Sequence, residues 1–279
     1  MTVFQAIFLG LVQGIAEFLP ISSSGHLSIF QHFFGLTSAE ESSLVFDVML
    51  HMGTLVSVCV VYWKDILAII NDCLTFVKSV GHPVPGEKKN RYPGVRLLVM
   101  MFFATLPLFL VLPVKDKIEM LYYYPAFIGI ALILTGAMLY VADRMSNGKR
   151  TEKTMRIRDA LVVGVCQAIA TIPGLSRSGS TITAGLATGM DRQFAVKFSL
   201  LISLPAVLGA NVLSLADAVK EGVDWSQLPL YLLSMVVAMV SGYFSIRLVK
   251  YVSRKGKFGW FASYCVAAGI ITLLLTIVL

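Results

Sequence analysis

"EFLPISSSGHL", Glu17 to Leu27, sets a carboxylate, a proline, three consecutive serines, a glycine and a histidine inside an otherwise apolar N-terminal run. The rest of the chain gives that interruption its meaning. Of 279 residues, 57% are hydrophobic and only 14% charged, against about a quarter charged in soluble domains. The mean hydropathy is +0.78. Apolar residues come in long runs rather than stripes. "LLVMMFFATLPLFLVLPV" (Leu97–Val114) and "FASYCVAAGIITLLLTIVL" (Phe261–Leu279) each approach the ~20 residues that cross a bilayer as a helix. This is the composition of an all-α polytopic membrane protein.

Six runs are able to span, at about 43–63, 95–114, 124–143, 195–215, 228–248 and 258–279. Two further apolar regions, about 3–35 and 157–190, are each broken in the middle by polar residues and Pro/Gly. Each half is too short to cross alone, and broken backbone is tolerated at membrane depth only when buried in protein or lining a cavity. Re-entrant helical hairpins are the natural expectation. The first run lacks a basic leader and ends in Glu17, not in a small-residue cleavage site, so it is expected to be retained. The four cysteines (Cys59, Cys73, Cys166, Cys265) show no paired or metal-ligating spacing and read as apolar filler.

The two broken regions match one another at a constant offset. "GLVQGIAEFLPISSSGHLS" (Gly10–Ser28) over "GVCQAIATIPGLSRSGSTI" (Gly164–Ile182) gives seven identities in nineteen positions, among them Gln13/Gln167, Ser22/Ser176, Ser24/Ser178 and Gly25/Gly179. Apolar bias does not account for matched Gln, Ser, Ser and Gly in one register. The chain therefore reads as a single membrane domain, 1–279, built from two repeats, 1–143 and 157–279, each a hairpin followed by three spans. Three crossings reverse the second copy, making an inverted repeat whose broken segments meet near the midplane.

Loop charge agrees with this parity. The net charge of +7 raises nucleic acid as a partner, but the basic residues occupy short loops at 64–94, 144–156 and 247–258. That is the positive-inside pattern, and no nucleic-acid partner is expected. Segments 37–43 and 215–227 are acidic, and 114–123 is balanced. With the basic loops cytoplasmic, the first hairpin enters from outside and the second from inside.

The breaks carry the chemistry. Gln13 and Glu17, four apart, share a helix face. Pro20 ends that half-helix, and Ser22, Ser23 and Ser24 are placed to cap the next one, which starts near Gly25–His26. Its free N–H groups make an anion site. In the second copy Pro173-Gly174 breaks the helix, and Ser176, Arg177 and Ser178 precede Thr181. Arg177 adds a bidentate phosphate partner where the first copy has Ser23.

Plainer readings stand beside these. A serine turn after proline is often only a cap, a histidine at a helix start often only a satisfied polar group, and Glu17–Arg177 can be a structural ion pair. Yet an ionisable group in an apolar segment costs about 2.5–3.5 kcal/mol and marks function, and an ion pair does not explain the hydroxyls around it. Asp47 and His51, four apart in "FDVMLHMGT", either extend the site or bond to each other. "MMFF" (Met100–Phe103) and "YYY" (Tyr122–Tyr124) read as lipid-facing or interface-belt groups.

These residues resemble the undecaprenyl-diphosphate phosphatase family of bacitracin-resistance membrane phosphatases. The likeness rests on the (E/Q)-x-x-x-E stretch leading into F-L-P-x-S-S-x-G-H, here Gln13 to His26, and on P-G-x-S-R-S-x-x-T, here Pro173 to Thr181. It implies hydrolysis of undecaprenyl diphosphate to the monophosphate and inorganic phosphate, recycling the carrier for peptidoglycan and other wall polymers. It also implies a multi-pass protein of the bacterial plasma membrane, dependent on Mg²⁺ or Ca²⁺, with its site open to the outer face. Glu17, Ser23, His26 and Arg177 become the catalytic set, Ser23 as nucleophile with His26 as general base or acid, or else a water activated by Glu17 or His26. Gln13, Ser22, Ser24, Ser176, Ser178 and Thr181 become phosphate contacts, and Glu17 the metal carboxylate. Many members have Glu where this chain has Gln13, which cannot act as an anionic ligand. The polyprenyl diphosphate and membrane lipid are the expected partners, and a homodimer is left open. A polyprenyl-phosphate flippase is the alternative from a different class, since transporters also use inverted repeats with broken helices.

Overall fold

The computed structural model describes residues 1–34, 44–79, 92–221 and 225–278. Among them the regular structure is helical, apart from an isolated bridge between Arg150 and Met190. In chain order the helices are α1 (Val3–Phe18), α2 (Ser23–Phe34), α3 (Leu44–Val61), α4 (Trp63–Ser79), α5 (Pro93–Thr105), α6 (Lys115–Met120), α7 (Pro125–Arg144), α8 (Ile157–Ile169), α9 (Arg177–Ala187), α10 (Arg192–Glu221), α11 (Leu228–Lys255) and α12 (Gly259–Val278). Six stretches are long and apolar enough to cross a membrane: Leu44–Val61, Pro93–Tyr123, Pro125–Arg144, Arg192–Ala218, Trp225–Lys255 and Gly259–Val278. They fall on the six expected spans. The second carries Pro107 and Pro113, and after Thr105 it tightens into 3₁₀ turns, since proline removes a ladder donor and clashes with the preceding turn.

The remaining apolar regions are helix pairs broken where the sequence says. A Thr2–Gln5 capping box opens α1. It stops at Phe18 because Leu19, preceding Pro20, takes the extended backbone that a following proline favours (φ −68°, ψ 142°). α8 stops at Ile169, and Gly174 turns the chain at φ +88°, where L side chains are strained.

Helix α4 is a correction to the sequence reading, which took 64–94 as loop. Ile66, Ile69/Ile70, Cys73/Leu74 and Val77 recur at helical spacing between Lys64, Asp65, Asp72 and Lys78. The segment is too polar to register as a span, yet its amphipathic period suffices for a helix. None of its residues is buried, and it lies against α5.

α7 packs along α12, α1 and α3 pack on α11, α3 meets α10, and α8 lies between α5 and α9. Small residues set the seams, as expected where lipid removes the hydrophobic drive between helices. A Cβ on Gly269 would lie 2.5 Å from the Gly129 carbonyl oxygen, and one on Gly14 would lie 2.4 Å from that of Ala238. Met100 and Met101 are buried in the larger core cluster rather than facing lipid, whereas Phe102 is exposed.

The ends of the bundle differ in charge. At one end Arg192 donates to the Asp143 and Met145 carbonyls, Asp143 accepts from Phe258 N, Arg150 pairs with Asp159, and Lys197 pairs with Asp65. These contacts bring the basic loops at 64, 144–156 and 247–258 together. At the other end Lys115 pairs with Asp217. The acidic segment 37–43, Lys88, Lys89, Arg91 and Asp224 lie outside the described residues, as does the Glu221 side chain.

Candidate active site

The turns that break α1–α2 and α8–α9 lie against each other. A Cβ on Gly25 would sit 3.1 Å from Gly174 Cα, and one on Gly179 would sit 3.4 Å from Pro20 Cβ. Ser178 Oγ donates to the Leu19 carbonyl at 3.2 Å. Residues some 150 positions apart in sequence thereby share one buried site.

Its centre is Glu17, 8% exposed at the end of α1. Oε2 accepts the Ser23 hydroxyl at 2.7 Å and Gln13 Nε2 at 3.1 Å. Oε1 accepts from Arg177 Nη2, which completes an ion pair with the first residue of α9. An acceptor-only group holding three donors is an ionised carboxylate. Gln13 is fully buried, and its Oε1 has no partner. Ser23 and Arg177 are the first residues of α2 and α9, helices whose first N–H groups have no intrahelical acceptors.

Other predicted binding residues hold the turns instead. Ser22 Oγ accepts from Gly25 N at 3.2 Å and lies 3.4 Å from Ser24 Oγ; Ser176 Oγ accepts from Gly179 N at 3.1 Å and lies 3.2 Å from Ser178 Oγ. These are the same contacts at matched positions of the two copies. Thr181 is buried, its hydroxyl among the Arg177 and Ser178 carbonyls and Ser199 Oγ. Of the predicted residues, the structure brings Gln13, Glu17, Ser23 and Arg177 into contact.

His26 lies apart from the Ser23 hydroxyl bond. Nδ1 is 2.7 Å from the Ser22 carbonyl, and Nε2 is 2.7 Å from the hydroxyl of Tyr264 on α12. His51 Nδ1 bonds the Asp47 carbonyl at 2.8 Å, one helical turn back. The helix that carries both, α3, packs against α1.

Residues 6–271 match the Bacitracin resistance protein BacA family. The chain belongs to that family. It is 39% identical over 280 residues to an "Undecaprenyl-diphosphatase" of Methanosphaera stadtmanae, covering 99% of each chain. It is 38% identical to one of Carboxydothermus hydrogenoformans, over 99% of this chain and 98% of the relative. A further relative of the same name, from Halothermothrix orenii, is 37% identical over 99% and 98%.

In this BacA family member the sequence reading missed four residues around the breaks. Thr135 on α7 donates to the Gly174 carbonyl at 3.1 Å and accepts from Ser176 N at 3.1 Å. Cys265 Sγ on α12 lies 3.6 Å from the Pro20 carbonyl, where it donates. Tyr122, grouped with belt aromatics by its neighbours, accepts from the Ser28 hydroxyl at its carbonyl, at 2.8 Å. Tyr264 is the fourth. Each sits in an ordinary apolar helix or a tyrosine run, and no local signal distinguishes it.

Proposed function

We propose that this chain hydrolyses undecaprenyl diphosphate to undecaprenyl phosphate and inorganic phosphate, returning the lipid carrier to wall-polymer synthesis. The relatives' name supports the substrate. The observation that carries the chemistry is the 2.7 Å hydrogen bond from Ser23 to Glu17. It pairs a nucleophile with a base, and Arg177 stands on the same carboxylate. The diphosphate lies against the N-termini of α2 and α9, where helix dipoles and Arg177 offset its charge. Ser23 Oγ bonds to the terminal phosphorus as the bond from that phosphorus to the bridging oxygen breaks. The lipid monophosphate leaves with the electron pair, and the serine proton passes to Glu17. Water then cleaves the phosphoserine, and Ser23 regains its proton.

A divalent cation, Mg²⁺ or Ca²⁺, suits the donor set. Glu17 and the unpartnered Gln13 Oε1 are hard oxygen donors, and among the described residues no group of three His, Cys, Asp or Glu forms a protein cage. Magnesium is commonly held by one or two carboxylates plus substrate phosphates. When bound, it supplies charge neutralisation on the transferring phosphoryl group.

We read the broken pairs as re-entrant hairpins of an inverted repeat, with the site open to the outer face of a bacterial plasma membrane. Matched contacts support the repeat. Gly10 packs on the Ser234 carbonyl (2.7 Å from an added Cβ) and Gly164 on that of Ala104 (2.5 Å). Cys265 meets Pro20 as Thr135 meets Gly174. Both sets pair residues at constant separations. The basic end of the bundle is then cytoplasmic.

The test is phosphate release from C55 diphosphate by purified protein in detergent, where no sides exist. Turnover dependent on Ser23 and Glu17 supports the hydrolase. Absence of release, together with carrier translocation in liposomes, would replace it by a flippase.

A further inference from the structure

Both ring nitrogens of His26 are engaged, and the chemistry of the two partners fixes where its proton lies. The Ser22 carbonyl, 2.7 Å from Nδ1, can only accept, so Nδ1 carries the hydrogen. The neutral ring then has its lone pair on Nε2, and the Tyr264 hydroxyl at 2.7 Å donates to it. The two rings also stack, centroids 5.6 Å apart and planes inclined by 10°. We infer that Tyr264 is a positioning residue of this site, holding the His26 imidazole in one tautomer and one orientation together with the Ser22 carbonyl.

Three further observations favour this over simple packing. Tyr264 is 47% exposed, while His26 is 7% exposed. The tyrosine therefore fills no core, and its polar end is the part that reaches inward. Ser22 is the single described non-glycine residue with positive φ, +71°, a conformation that costs about 1–2 kcal/mol for an L residue and persists where surroundings impose it. The matched Ser176 sits at φ −73° and has Ser180, not histidine, four residues on. Ser176 still accepts from Ser180 N at 2.8 Å, as Ser22 does from His26 N at 3.2 Å. The strained backbone thus belongs to the copy that carries the imidazole. Next to Tyr264, Cys265 bonds the Pro20 carbonyl, so two successive side chains of α12 anchor the first turn.

The inference deepens the hydrolase reading and rests on it for its kinetic test alone. Because the lone pair of the imidazole is occupied by Tyr264, the proton of Ser23 has its acceptor in Glu17, and His26 braces the Ser22 carbonyl, in the turn that aims Ser23, from the orientation Tyr264 sets.

Two measurements on the full-length protein test it. Tyr264→Phe keeps the stack and removes the hydroxyl; phosphate release should lose about tenfold in kcat, the size typical when a partner orienting a histidine is lost, with KM changed by less than about twofold. In a His26→Ala background the same substitution should have no further effect. Unchanged kcat, or a loss that adds fully to that of His26→Ala, overturns the inference. Separately, ¹⁵N-histidine spectra, with His26 assigned through His26→Gln, should show the Nδ1–H tautomer in the wild type and a displaced Nε2 resonance in Tyr264→Phe. Identical spectra overturn it. Should the wild type release no phosphate, the hydrolase reading fails, and the spectra alone decide the role of Tyr264.

Discussion

Ser23 and Glu17, on opposite sides of the break between α1 and α2, are joined by a 2.7 Å hydrogen bond. A six-residue separation within a continuous helix would put them on different faces. The turn at Pro20–Ser22 folds them together and aims the hydroxyl proton at a carboxylate.

Ser23→Ala should therefore abolish turnover without unfolding the protein, since Ser22, not Ser23, caps the turn. Glu17→Gln keeps an acceptor for the hydroxyl but removes the base, and should lower kcat by about 10²–10⁴-fold. Rapid quench with terminally ³²P-labelled substrate should trap acid-stable phosphoserine in the wild type and none in Ser23→Ala. Normal phosphate release by Ser23→Ala would leave direct attack by water as the mechanism.

Arg177 and Glu17 form an ion pair away from bulk water, with side-chain exposures of 20% and 7%. Removing one member leaves an uncompensated charge, which costs about 3–5 kcal/mol when the pair is buried. Arg177→Met should lower the melting temperature in detergent markedly. The double variant Glu17→Gln/Arg177→Met should recover much of that loss while remaining inactive. Thermal melts of the two variants, compared with phosphate release, separate the structural from the chemical contribution.

Gln13 bears on the metal. Excess chelator should stop turnover, and added Mg²⁺ or Ca²⁺ should restore it. Gln13→Glu places a second carboxylate one turn from Glu17 and turns a neutral oxygen donor into an anionic one, so the cation concentration for half-maximal activity should fall, by about tenfold. Full activity in chelator removes the cation from the mechanism.

The glycine seams make a prediction about assembly. A side chain at Gly164 would meet the Ala104 carbonyl at 2.5 Å, and one at Gly10 would meet that of Ser234 at 2.7 Å. Both obstacles are backbone and cannot rotate away. Gly10→Val and Gly164→Val should each cost more than the 1–3 kcal/mol typical of overpacking. Their accumulation in membranes and their melting temperatures, set against Gly209→Ala, whose added carbon meets nothing within 4 Å, measure this.

Sidedness is testable from the charge pattern. With the endogenous cysteines replaced, Lys220→Cys should react with an impermeant maleimide in intact cells, and Lys149→Cys only after permeabilisation. The reverse would place the acidic end in the cytoplasm.

The sequence by itself determined the six spans, the two breaks and the pairing of the breaks with one another. Those features depend on local quantities: run length against bilayer thickness, proline at a helix end, and matched residues in one register. It also named the residues that meet at the centre, because Glu17 and Arg177 are too costly in apolar segments to be incidental. Tertiary structure decided the rest. Which of the serines faces the carboxylate depends on the backbone angle of Ser22, and no residue pattern encodes that angle. Thr135, Cys265 and Tyr264 join the site because close helix packing at glycine brings α7 and α12 against the two turns. In their own helices they are ordinary residues, and only the meeting of distant segments gives them partners.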